Sequence, residues 1–195
     1  MARSVFTTPV LTPCLRLLAN GWLKIAGWRV VAPEVPRPPF IFIGAPHTSN
    51  WDFLLLMVGI FHLRLDVHWL GKHTLFPVGL GWFMRWLGGI PVNRSRAHNM
   101  VPRMARLLRD EPDTILCIPP EGTRSRVSTW KTGFYHIAAQ ADVPILMAAI
   151  DAENRELRLL GQFHPEGDVD SDMARIREHY RGLKGLRPEN ATPLE

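Results

Sequence analysis

An α/β domain with a mostly buried mixed sheet flanked by helices is the fold the sequence predicts, and three observations carry the prediction. Short apolar runs of strand length stand at Phe40 to Ile43, Thr114 to Ile118 and Pro144 to Ile150, the first of them wholly apolar. Segments with helical spacing lie between them. The 195 residues, 46% hydrophobic and 21% charged, suit one domain with a sizeable core, and no internal repeat or low-complexity tract interrupts it.

Each element has its own signal. Thr12 followed by Pro13 reads as a helix start and Gly27 as its stop. Between them Leu15, Leu18, Trp22 and Ile25 recur at helical spacing while Arg16, Asn20 and Lys24 interrupt, which predicts a short amphipathic helix with a cationic side. Such a helix either lies in a membrane interface or packs on its own domain, and both readings stay open. The prolines at 33, 36, 38 and 39 make a stiff connector into the first apolar strand, which ends at Gly44. Trp51 to Leu65 then reads as a helix, completing a strand, loop, helix unit. Further helices are expected over Ala97 to Arg109, Trp130 to Ala139 and Ser171 to about Lys184. This organises the chain into an N-terminal amphipathic helical segment over 1–32, a domain over 33–187 and a frayed tail over 188–195.

Composition narrows the partners. A formal charge of +5 points to anions, whether phosphorylated molecules, an anionic membrane or nucleic acid. The basic residues are not massed into one stripe and no nucleic-acid motif is present, so nucleic acid is not an expected partner. Cys14 and Cys117 stand far apart and in no metal-ligand or redox spacing, so neither a disulfide framework nor a metal site is expected. The longest apolar run, Phe53 to Phe61, is well short of the roughly 20 residues that span a bilayer, and no secretory signal pattern opens the chain. The expected location is cytoplasmic, peripheral on the inner face of the cell membrane.

Four loops could carry chemistry. His47 and Asp52 fall in the loop and first helical turn after a buried strand, where the reversing chain could turn the carboxylate back onto one imidazole nitrogen and leave the other free as a base. Ser49-Asn50-Trp51-Asp52 equally fits a helix-capping pattern, in which Asp52 satisfies the helix start. Pro119-Pro120-Glu121-Gly122-Thr123-Arg124-Ser125-Arg126 follows another buried strand and places two guanidinium groups on one loop. Their planar forks match phosphate oxygens, although such a stretch is also an ordinary solvated turn. Gly88 to Arg94 is a strand-like piece ending in a base, and Lys72 with His73 adds a cationic pair. One candidate base and three cationic loops meet a single requirement, to hold a phosphate and deprotonate something beside it.

These blocks resemble the glycerolipid acyltransferases typified by 1-acylglycerol-3-phosphate acyltransferase. His47-Thr48-Ser49-Asn50-Trp51-Asp52 is similar to the family's first motif, Gly88 to Arg94 to its second, Pro120 to Ser125 to its third and Val143-Pro144-Ile145 to its fourth, in the same order. The resemblance implies His47 as general base and Asp52 as its orienting partner. It implies that Arg124 holds the acceptor phosphate, helped by Arg94, Lys72 and Arg126, and that Glu121, Gly122 and Thr123 shape the acceptor pocket. The implied substrates are a lysophospholipid acceptor and an acyl thioester donor, acyl-CoA or acyl-carrier protein, with no metal or other cofactor. The rival from another class is a non-catalytic module that binds anionic lipid or a membrane surface through the same cationic loops and N-terminal helix.

Overall fold

The protein is described from a computed structural model covering residues 3–93 and 99–193. Seven strands, β1 (Arg29–Val31), β2 (Phe40–Gly44), β3 (Val67–Lys72), β4 (Gly89–Val92), β5 (Ile115–Cys117), β6 (Ile145–Asp151) and β7 (Glu156–Phe163), join in one mixed sheet among the described residues. Their order is β1-β7-β6-β2-β5-β3-β4. Strands β2 to β6 all run parallel, β7 returns antiparallel to β6, and β1 runs parallel to β7. The carboxyl ends of β2, β3, β4 and β5 therefore share one edge, and the loops that leave them lie side by side.

Six α-helices among the described residues cover the sheet: α1 (Leu11–Ala26), α2 (Trp51–Leu63), α3 (Gly81–Trp86), α4 (Met100–Asp110), α5 (Gly133–Ala141) and α6 (Val169–Glu178). Alternate residues of β2 feed opposite faces, as the two-residue pleat requires. Ile41 and Ile43 pack with Leu116, Met104, Leu108, Phe134 and Ile176 under α4, α5 and α6. Phe40 and Phe42 pack with Ile115, Leu146, Ala19, Ile60 and Phe61 under α1 and α2. Because both faces are covered, the strands read as continuous apolar runs, and each fully buried aliphatic or aromatic side chain contributes about 1.5–3 kcal/mol.

The N-terminal helix departs from expectation. Thr12 does not cap it; its hydroxyl donates to the Val5 carbonyl (2.9 Å) and the Thr8 carbonyl (2.7 Å), and the helix already starts at Leu11. Gly27 does stop it, in the left-handed conformation (φ 67°) that glycine adopts without steric cost. The buried face is Thr12, Ala19 and Leu23, whereas Leu18 and Ile25 of the expected apolar face are 67% and 90% exposed. The segment 1–32 is also more than a helix, since Val5 and Phe6 are buried in the core and β1 joins the sheet. At the other end the described part of 188–195 is packed: Asn190 is bonded to the Thr48 carbonyl and Thr192 is buried. The last helix ends at Glu178, short of the predicted Lys184, and α5 starts at Gly133 with Trp130 in the loop before it.

Candidate active site

The His47 loop is built by one carboxylate. Asp52, 3% exposed in the first turn of α2, accepts through Oδ2 from the backbone N–H groups of Thr48 (2.5 Å) and Ser49 (2.8 Å), which bends the chain between β2 and α2. The same oxygen lies 3.2 Å from His47 Nδ1. Capping and pairing, the two readings of Asp52 left open by sequence, are thus both true of a single atom. Ser49 takes over the end of the helix, its hydroxyl accepting from the Trp51 N–H (3.0 Å). With Nδ1 facing a carboxylate, the imidazole presents Nε2 outward, and the His47 side chain is 25% exposed.

A second carboxylate fixes the loop from behind. Glu121 is 2% exposed and accepts from the His47 backbone N–H through Oε1 (3.1 Å), while Oε2 has no hydrogen-bond partner among the described residues. Burial, with a smaller contribution from the Asp52 charge, pushes its carboxyl above the usual carboxylate range, and the bond from His47 opposes that rise. Glu121 was expected to shape the acceptor pocket; instead it stands behind the pocket wall and ties the β5 loop to the β2 loop.

His47 and Asp52 open onto a cavity of about 610 Å³. Most of its polar lining comes from the sheet edge, with His47, Asn50, Lys72, Thr123 and Arg124 all present; Arg158 of β7 also lines it, paired with Asp151 (3.5 Å) and Glu156 (3.6 Å). Its apolar lining comes from the sheet face and α2, including Phe42, Leu55, Gly59, Leu63, Cys117 and Leu157. Cys117 is inert there, burial pushing its thiol up to about 12. The cavity therefore suits a molecule that is charged at one end and hydrocarbon for most of its length.

Of the expected anion-binding residues, Arg124 and Lys72 line this cavity, and Arg124 donates to the Asn50 side-chain oxygen, joining the first and third motifs. Gly122 and Thr123 line it too; Gly122 has φ 65°, and an added Cβ would stand 3.0 Å from the Lys131 ammonium. Arg126 is exposed and lines neither this cavity nor a smaller polar one beside it, so the two arginines of the loop diverge. Arg94 lies outside the described residues. Asn50 and the apolar wall of α2 were not anticipated as site features. The signal for the wall was the helix's apolar character on every side, which a helix facing only one core would not need.

Comparison with known proteins agrees with this geometry. The acyltransferase family profile matches residues 29–151, well over half of the chain and all of the loops just described. The chain belongs to the acyltransferase family. A 1-acyl-sn-glycerol-3-phosphate acyltransferase of Haemophilus influenzae is 29% identical over 126 residues, which are 61% of this chain and 50% of that protein. The chain thus spans about half the length of this curated relative. The crystal structure of the 1-acyl-sn-glycerophosphate (LPA) acyltransferase PlsC from Thermotoga maritima has the same fold, with a TM-score of 0.58 over 90% of this chain and 82% of that one, at 19% identity.

Proposed function

We propose that this acyltransferase-family chain moves a fatty acyl group from a thioester, acyl-CoA or acyl-carrier protein, to the hydroxyl of a lysophospholipid, 1-acylglycerol 3-phosphate. The observation that carries the reading is the His47–Asp52 pair placed where a cationic mouth meets an apolar cavity. His47 Nε2 takes the proton of the acceptor hydroxyl as the oxygen attacks the thioester carbonyl. The tetrahedral intermediate then collapses, the carbon–sulfur bond breaks, and the proton passes from His47 to the departing thiolate. Asp52 holds the ring and supports its transient positive charge. Arg124, with Lys72, seats the acceptor phosphate, and the acyl chain occupies the apolar wall formed by α2 and the sheet. The reaction so written uses the acyl donor as its only co-substrate and no other cofactor.

The reading includes a peripheral place on the cytoplasmic, inner face of the cell membrane, where a lysophospholipid acceptor would be met. No helix among the described residues is long and apolar enough to cross a membrane. Leu17, Leu18, Trp22 and Ile25 of α1 and Val78 and Trp82 near α3 nonetheless expose apolar side chains to solvent, which suits interfacial contact. The test is thiol release on mixing the purified protein with acyl-CoA and lysophosphatidic acid. Wild-type turnover that is abolished in a folded His47→Ala variant supports the reading, and vesicle binding without thiol release refutes it in favour of a non-catalytic lipid-binding module.

A further inference from the structure

A second cavity, about 300 Å³ and polar, lies beside the first and shares Asn50 and Arg124 with it. Thr48, Ser49, Trp51, Arg187 and Asn190 complete its lining, which includes two arginines and no acidic residue. The Arg187 guanidinium has no hydrogen-bond or ion-pair partner among the described residues. Its backbone, by contrast, is fixed to the catalytic loop. The Arg187 N–H donates to Thr48 Oγ1 (3.2 Å), and the Asn190 side-chain amide donates to the Thr48 carbonyl (3.1 Å). Gly185 presses so close that an added Cβ would meet Pro46 Cγ and Thr48 Oγ1 at 2.9 Å. The segment after α6, outside the four motifs and outside the matched residues 29–151, is therefore anchored on the residue next to His47.

We propose that Arg187 is a substrate-binding residue, forming with Arg124 a two-arginine seat for a phosphate group. This rests on the acyl-transfer reading above, in which Arg124 and Lys72 seat the acceptor phosphate, and adds a cation from outside the motifs on the side of the polar cavity, which Lys72 does not line. A phosphomonoester carries close to two negative charges near neutral pH, and two guanidinium groups balance it with bidentate hydrogen bonds. A phosphodiester headgroup carries one charge and needs only one arginine. The charge match therefore assigns the seat to a phosphomonoester in preference to a diester headgroup; acyl-CoA carries one too, on its ribose, and the separate KM values below distinguish it from the acceptor's. Asn50 links the seat to the reacting end, because it lines both cavities and holds Arg124.

The test compares wild type, Arg187→Ala and Arg187→Lys in two measurements. In steady-state thiol release, Arg187→Ala is expected to raise the KM for lysophosphatidic acid about tenfold, the effect of losing one hydrogen-bonded charge at an open site, with kcat within about twofold. It should also reduce the preference for that acceptor over a phosphodiester lysolipid, and Arg187→Lys should recover part of the loss. An unchanged acceptor KM overturns the proposal, as does a rise confined to the KM for acyl-CoA, which would give the seat to the donor. A fall in kcat that is equal for all acceptors also overturns it, since that marks a merely structural role. The second measurement is phosphorus NMR titration with glycerol 3-phosphate, which needs no turnover. Weaker binding by Arg187→Ala supports the seat even if thiol release fails, and equal binding by the two proteins overturns the seat even if turnover stands.

Discussion

Replacing Asp52 by asparagine separates the two things its carboxylate does. The Thr48 and Ser49 N–H groups donate to Oδ2 and His47 Nδ1 lies 3.2 Å from it, while Oδ1 accepts nothing from the described residues. An asparagine in this place has one rotamer that avoids clashing hydrogens: its oxygen takes the Oδ2 position and its NH₂ takes the vacant side. The ring then keeps the same tautomer, and only the charge is lost. For an imidazolium 3.2 Å from the carboxylate that charge contributes about 1 to 5 kcal/mol as the effective dielectric runs from that of water to about 20. The asparagine oxygen retains part of this, so Asp52→Asn should lower kcat about 10- to 100-fold, with folding largely preserved. Asp52→Ala leaves all three groups unmatched and should lower kcat by a further order of magnitude or more. It should also cost about 3 kcal/mol of stability for two buried N–H groups without acceptors. Thiol-release kinetics and urea unfolding measure both quantities. An Asp52→Asn protein as inactive as Asp52→Ala, yet fully folded, would refute the account, because it would mean that the loop N–H groups do not dictate the orientation of the amide.

Three further outcomes follow from the surroundings. Gly59 lines the large cavity and an added Cβ would stand 3.2 Å from Leu157 Cδ1, so Gly59→Leu should fill the hydrocarbon end; the kcat/KM ratio of a long to a short acyl donor should fall about tenfold, as expected when a few methylenes at about 0.8 kcal/mol each lose their place. Burial holds the Glu121 carboxyl above its ordinary range, so its contribution to stability is complete below about pH 4 and is lost as pH rises through the raised folded value; Glu121→Gln should therefore gain stability relative to wild type from about pH 4 upward, read as a growing difference in urea midpoint. Leu18 and Ile25 are 67% and 90% exposed, so replacing both with glutamate should change stability by no more than about 1 kcal/mol in total but lower partition onto anionic vesicles at least tenfold in a sedimentation assay; unchanged partition would remove α1 from the proposed membrane contact.

The elements legible in the sequence are those whose signal is local. Phe40 to Gly44 and Ile145 to Ile150 are wholly apolar because helices cover both faces of the parallel part of the sheet, and a run of that kind can be read without knowing its neighbours. Strand β7 was not anticipated: Glu156, Arg158 and Gln162 interrupt it, and its pairing with β6 fixes it as a strand where its composition does not. Strand β1, three residues long, likewise exists through its partner. For α1 the period was right and the face was wrong. Helical spacing identifies apolar stripes but not which stripe meets the domain, and here Thr12, Ala19 and Leu23 do so while Leu18 and Ile25 stay outside.

The site follows the same division, and the reason lies in the sheet order. His47 follows β2, the Glu121–Arg124 loop follows β5 and Lys72 ends β3, and these are adjacent strands running the same way. Residues 74 positions apart, Asn50 and Arg124, are consequently in contact, although nothing local in either segment requires it. A motif pattern can carry such a pairing because the residues themselves are distinctive. It cannot carry Arg187, whose neighbours Leu186 and Pro188 resemble any surface turn and whose place is fixed by one backbone bond to Thr48 and by a glycine that leaves room for the catalytic loop. If that packing matters to catalysis, Gly185→Ala should act through it. An extra methyl 2.9 Å from Pro46 and Thr48 has no flexible neighbour to displace, so it should cost about 1–3 kcal/mol and move Arg187 away from the cavity. The acceptor KM should then rise as it does for Arg187→Ala, although the charge is still present. A Gly185→Ala protein that loses stability but keeps the wild-type acceptor KM would show that the segment supports the fold without positioning the guanidinium.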